Sequence, residues 1–151
     1  MEYIFFLFCI LLFYYDMFKA PNVYSKKKLI IGNGLGILLS FVLFIISPFI
    51  VYLFCKITNN PNIDINYTEQ ISIKFLMAFL IIFFYNFFIF LFADNLVDNI
   101  VGFHKKYNAS NSNKKPIKFV FKNKDKIKNY YKILFFITSI FMFYAVWFKM
   151  E

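Results

Sequence analysis

The sequence predicts an all-α integral membrane protein of four transmembrane helices, N-out and C-out, with a basic cytoplasmic or matrix segment between helices three and four. Three observations predict it. Four long apolar runs follow one another along 151 residues, and each nears the ~20 residues that a helix needs to cross ~30 Å of hydrocarbon at ~1.5 Å per residue. The chain is 61% hydrophobic and 25% aromatic with only 17% charged residues, where a soluble domain carries about a quarter. The charges cluster between the runs, and all 17 basic residues are lysine, giving a formal net charge of +9. One polytopic domain over 1–151 uses the whole chain and leaves no room for a separate soluble domain.

The first run, ~2–18, contains Glu2 and Asp16 as its interruptions. It has no basic leading region and no small-residue cleavage site, so it reads as a retained anchor rather than a signal peptide. Ala20-Pro21-Asn22 breaks the helix. The second run, ~29–55, opens behind Lys26, Lys27 and Lys28. Gly32, Gly36, Ser40 and Ser47 fall on one narrow helical face with Asn33 beside it, a pattern that lets another helix approach closely in lipid. Ser47-Pro48 predicts a kink near its far end.

Asn59-Asn60-Pro61-Asn62 reads as a turn, and Asn66-x-x-Glu69 as a capping box for the third run, ~71–93. Lys74 near its start is expected to snorkel to the interface. Asn86 sits well inside and needs a partner where there is no water. Leu96, Val97, Ile100, Val101 and His104 keep helical spacing, so this helix continues to about 107. A basic loop, ~108–125, follows. Within it Ile117–Phe121 alternates like a short strand or an interfacial segment, and Asp125 reads as the cap of the fourth helix, ~126–149. Tyr130, Tyr131, Tyr144 and Trp147 suit the interfacial belts.

Charge sets the expected orientation. The segment 16–28 holds four lysines against one aspartate, and 94–132 ten lysines against three aspartates, whereas 56–74 is balanced. The positive-inside rule then assigns the first and third connections to the cytoplasm or matrix, in a bacterial plasma membrane or a mitochondrial inner membrane.

Chemistry is sparse. Gly32-x-Gly34-x-Gly36 lacks the trailing Lys-Ser/Thr of a phosphate loop, and no intramembrane His stands ready for a haem. Cys9 and Cys55 lie at different depths and make no metal framework. No catalytic residue, cofactor site or metal site is predicted, and an enzyme is the least expected class. Asp94 and Asp98, one turn apart, are a candidate cation or salt-bridge site, with Lys105 and Lys106 as the expected counter-charges. Lys26, Lys27, Lys28, Lys105, Lys106, Lys114, Lys115, Lys118 and Lys122 are candidates for docking on anionic lipids or an acidic partner. Nucleic acid and small-molecule substrates are not expected, since the chain has no arginine for bidentate phosphate recognition. The heavy use of Phe, Ile, Asn, Lys and Tyr without arginine is that of an AT-rich genome.

These observations lead to an expectation of a non-catalytic subunit of a larger membrane assembly, of the respiratory or ATP-synthase kind, partnered by other membrane subunits. The alternatives are a homo-oligomeric pore or sensor (an antiphage effector or holin-like protein, with Asn33, Ser40, Asn86 and Asp94 lining a path between copies) and a toxin-immunity protein.

Overall fold

The computed structural model describes residues 2–58, 65–111 and 113–150. The expected turn at 59–62 lies outside them. The described chain is nearly all helical: α1 (Glu2–Tyr14), α2 (Lys26–Thr58), α3 (Ile65–Phe87), α4 (Asp94–Tyr107) and α5 (Lys115–Phe148). A π-helical turn over Tyr15–Lys19 and a 3₁₀ turn over Ala20–Asn22 end the first helix, as Pro21 requires. A second π-helical turn, Phe88–Ala93, joins α3 to α4, so one helical rod runs to Tyr107. Four helical stretches, Glu2–Asn22, Lys26–Thr58, Asn66–Tyr107 and Lys115–Phe148, are long and apolar enough to cross a membrane.

The helices alternate in direction. The starts of α1 and α3 meet the end of α5, because Lys74 bonds both Glu2 and the Trp147 carbonyl. The start of α2 meets the start of α4 through Lys26 and Asp94. A three-sided core forms among α1, α3 and α5, with α2 packed on the outer side of α3. Aromatic rings fill that core. Phe13 lies 6.0 Å from Phe143, 6.1 Å from Phe136 and 5.8 Å from Tyr85, which are edge-to-face and stacked spacings that add to burial. Trp147 is fully buried between Phe5 and Phe75. Its expected place in an interfacial belt is therefore wrong: its indole is a core filler, while Tyr130 and Tyr144 are exposed.

Helix boundaries follow local chemistry. Ser25 caps α2, its Oγ accepting from the Lys28 backbone N–H at 3.4 Å. α2 continues through Pro48 to Thr58. α3 begins at Ile65, one residue ahead of the expected cap Asn66.

The last helix starts eleven residues earlier than expected. Pro116 occupies its first turn and Lys114 is extended, which is how proline opens a helix. Asp125 is thus an interior residue and not a cap, and most of the expected basic loop is helix. Just before the expected cap the helix kinks at Asn123. Asn123 has φ −112° and ψ 15°, and its side chain donates to the Phe119 carbonyl at 2.9 Å. The segment Ile117–Phe121 is helical, not extended: Ile117, Val120 and Phe121 turn toward Ile100 and His104 of α4, while Lys118 and Phe119 face outward. The i, i+3, i+4 pattern wins over the apparent alternation because α4 offers an apolar face to cover. Together α4 and the first part of α5 form a lysine-rich helical hairpin at one end of the bundle.

Candidate functional site

Three polar arrangements punctuate the apolar bundle. The first closes one end. Lys74 is 8% exposed, and its Nζ donates to Glu2 Oε1 at 2.8 Å and to the Trp147 carbonyl at 3.2 Å. The expectation that Lys74 snorkels outward is corrected here: the first turn of α1 delivers a carboxylate beside it, and pairing replaces hydration. Nearby, Ser72 donates to the Thr68 carbonyl at 2.9 Å, so Ser47 donates the 2.9 Å bond that joins α2 to α3.

The second arrangement closes the other end, about 20 residues or ~30 Å farther along the α3–α4 rod. Asp94 is 2% exposed. It takes the Lys26 ammonium at 2.6 Å and a hydrogen bond from the Tyr131 hydroxyl, tying α2, α4 and α5 together. This contact also places a carboxylate beside Lys26, the first of three lysines whose charges oppose the macrodipole of α2 at its start. Asp98, one turn on, pairs with Lys128 at 2.6 Å and Lys124 at 2.7 Å. The expected partners Lys105 and Lys106 are not used. They stand in the last turn of α4, over the rings of Phe121 at 6.0 Å and Tyr107 at 4.9 Å.

The third arrangement lies between the two ends. Asn86 is fully buried; its Nδ2 donates a long, 3.4 Å bond to Asp16 Oδ2, and its Oδ1 has no partner. Asp16 belongs to no ion pair among the described residues. It shares a cleft of about 480 Å³ with Asn33, Gly32, Lys28, Tyr24 and Phe79, and the buried Asn33 Nδ2 is likewise unpartnered. Asp16 stands in the first π-helical turn and Asn86 two residues before the second. Such turns are frequent at functional sites, because the added residue disturbs the regular hydrogen-bond ladder.

The remaining candidates are placed as follows. Gly36 packs against α3: a Cβ there would lie 3.1 Å from Phe79 Cδ1. Ser40 is buried and donates to the Gly36 carbonyl at 2.9 Å. Gly32 does not pack, because a Cβ there would meet nothing within 4 Å. It opens on the cleft, so the small-residue face divides into a contact (Gly36, Ser47) and a gap (Gly32, Asn33). Lys27, Lys28, Lys114, Lys115, Lys118 and Lys122 are exposed at the hairpin end. His104 faces the end of α4, with Nδ1 3.3 Å from the Asn108 amide. Cys9 and Cys55 are both free, and no group of three His, Cys, Asp or Glu side chains converges among the described residues.

Sequence reading missed the Glu2–Lys74 pair, the Tyr131–Asp94 bond and the role of Asp16. Asp16 alone carried a signal, a single acid inside an apolar run. No family model, no curated protein and no solved structure matches this chain.

Proposed function

We propose that this chain is a polytopic, non-catalytic subunit of a larger membrane assembly, lodged in a bacterial plasma membrane or a mitochondrial inner membrane. Its lysine-rich hairpin faces the cytoplasm or matrix and docks there on an acidic partner or on anionic headgroups, each lysine near such a surface contributing about 1 kcal/mol. The observation that carries the reading is the inward placement of the polar groups. Asn86 is fully buried and Asp94 2% exposed, both satisfied or enclosed within one chain. A pore between copies needs such residues on an outward face. The outer surface of α2 is instead apolar and unpartnered within the chain, with Leu35, Leu38, Leu39 and Phe49 all about 60% exposed.

The ~30 Å between the Glu2–Lys74 and Lys26–Asp94 pairs supports a bundle that spans one hydrocarbon layer, with charged groups held at each boundary. The test is native purification in mild detergent through a tag beyond Lys149, followed by mass spectrometry. A stoichiometric set of other membrane proteins is the expected result. A single discrete homo-oligomer would reject the reading and turn attention to conductance.

A further inference from the structure

We infer, resting on the subunit role proposed above, that the tip of the lysine-rich hairpin is a docking cup for an acidic segment of a partner protein, one with a single bulky apolar side chain among its carboxylates. α4 and the first part of α5 enclose an apolar hollow of about 140 Å³, lined by Ile100, His104, Pro116, Ile117, Val120 and Phe121. An apolar cavity of ~150 Å³ takes a benzene ring, so one aromatic or aliphatic side chain fills this one. Lysines surround the hollow. Lys105, Lys115, Lys118 and Lys122 are each the chain neighbour of a lining residue, and all four are exposed. From residue 99 to residue 124 the chain holds seven lysines and no acid. Among the described residues only Lys124 of these enters an ion pair, with Asp98. An apolar centre inside a charged rim is the layout of a protein interface. The buried anchor supplies affinity, and the rim selects the sign of the partner.

Height decides between a protein and the bilayer. In the proposed bundle the Lys26–Asp94 level marks one edge of the hydrocarbon layer. α4 runs from Asp94 to Tyr107, a rise of ~20 Å. α5 begins at Lys115, ~24 Å before Tyr131, which bonds Asp94. The headgroup layer adds only ~5–8 Å on each side of the hydrocarbon. At a tilt of ~40°, the extreme for a transmembrane helix, the tip still stands ~15 Å out. It clears the lipid charges by one Debye length, ~8 Å. Headgroups thus meet Lys27 and Lys28 at the start of α2, and the cup stands clear of them. Tyr107 and Phe119, 67% and 61% exposed at the tip, offer further apolar surface that lipid does not cover. A nucleic acid would bring charge but no side chain to fill the hollow.

The test uses the purified full chain in phosphatidylcholine nanodiscs. The probe is a fluorescein-labelled peptide of glutamate and alanine with one central phenylalanine, read by anisotropy. The expected result is saturable binding that falls with added salt and weakens by ~10-fold or more when the peptide's phenylalanine is replaced by alanine, the scale of a buried anchor. Lys115→Glu combined with Lys118→Glu should abolish binding. Both residues are exposed in the first turn of α5, where acids suit the helix dipole, so the fold is kept. Val120→Trp fills the hollow and should erase the preference for phenylalanine. No binding, or equal binding of the two peptides, overturns the proposal. So does binding that persists in the double lysine variant, or a phenylalanine preference unchanged in Val120→Trp. Displacement of the peptide by phosphatidylglycerol vesicles or by oligothymidylate at equal charge also overturns it. Co-purifying subunits without peptide binding would overturn the cup alone, and a discrete homo-oligomer that binds the peptide would overturn the subunit role alone.

Discussion

Replacing Glu2 by glutamine should destabilise the bundle more than replacing Lys74 by methionine, although both remove the same 2.8 Å ion pair. The asymmetry comes from burial. The Lys74 side chain is 10% exposed and that of Glu2 35%. Glu2→Gln leaves a buried ammonium with a neutral amide and the Trp147 carbonyl. Stranding a fully buried charge costs about 3–5 kcal/mol, and partial hydration through the Glu2 side reduces this to about 2 kcal/mol. Lys74→Met leaves a carboxylate that water already reaches and fills the vacated space with an unbranched apolar side chain, so about 1 kcal/mol or less is lost. The double variant strands no charge and should also lose only about 1 kcal/mol, well short of the sum of the single losses. Thermal unfolding in detergent reads these as Tm drops of about 4–8 °C for Glu2→Gln and about 2–4 °C for the other two. If Lys74→Met proves the worse single variant, or the two losses simply add, the buried latch is wrong and Lys74 reaches water after all.

Three further outcomes follow from the packing. Phe13→Ala empties the ring cluster among α1, α3 and α5 and should cost about 3–5 kcal/mol in the same unfolding assay, whereas Phe8→Ala, at 50% exposure, should cost far less. Gly36→Leu must displace Phe79 and should cost about 1–3 kcal/mol by overpacking, read as loss of monodisperse protein on size exclusion; Gly32→Leu should not. Asp94→Asn should cost about 1–2 kcal/mol and loosen α2 from α4, giving faster amide exchange at the start of α2. Asp98→Asn, whose side chain is 38% exposed, should cost under about 1 kcal/mol.

The number and rough extent of the long helices were legible because apolar length is a direct signal. The start of the last helix was not, because Asp125 carries capping chemistry but sits just past a kink at Asn123, while Pro116 opened the helix upstream. The charged pairs were not legible for a different reason. Glu2 and Lys74 are 72 residues apart, and their meeting depends on α1 and α3 starting at the same end of the bundle. Asp94 drew attention on its own, but its partners come from α2 and α5, so nearby lysines in sequence misled. Trp147 was misplaced because an indole near a helix end suits an interface and a core alike, and only the rings of Phe5 and Phe75 decide between them.

Four membrane crossings, with the lysine-rich hairpin on one side and the start of α1 and the end of α5 on the other, are the central element of the proposed arrangement. Single-cysteine labelling in intact cells tests it directly, using a Cys55→Ser background in which Cys9 is buried. With a membrane-impermeant maleimide, Thr58→Cys and Lys149→Cys should label from outside, and Lys27→Cys and Lys118→Cys only after permeabilisation. Labelling of Lys118→Cys and Lys149→Cys from the same side would contradict the arrangement.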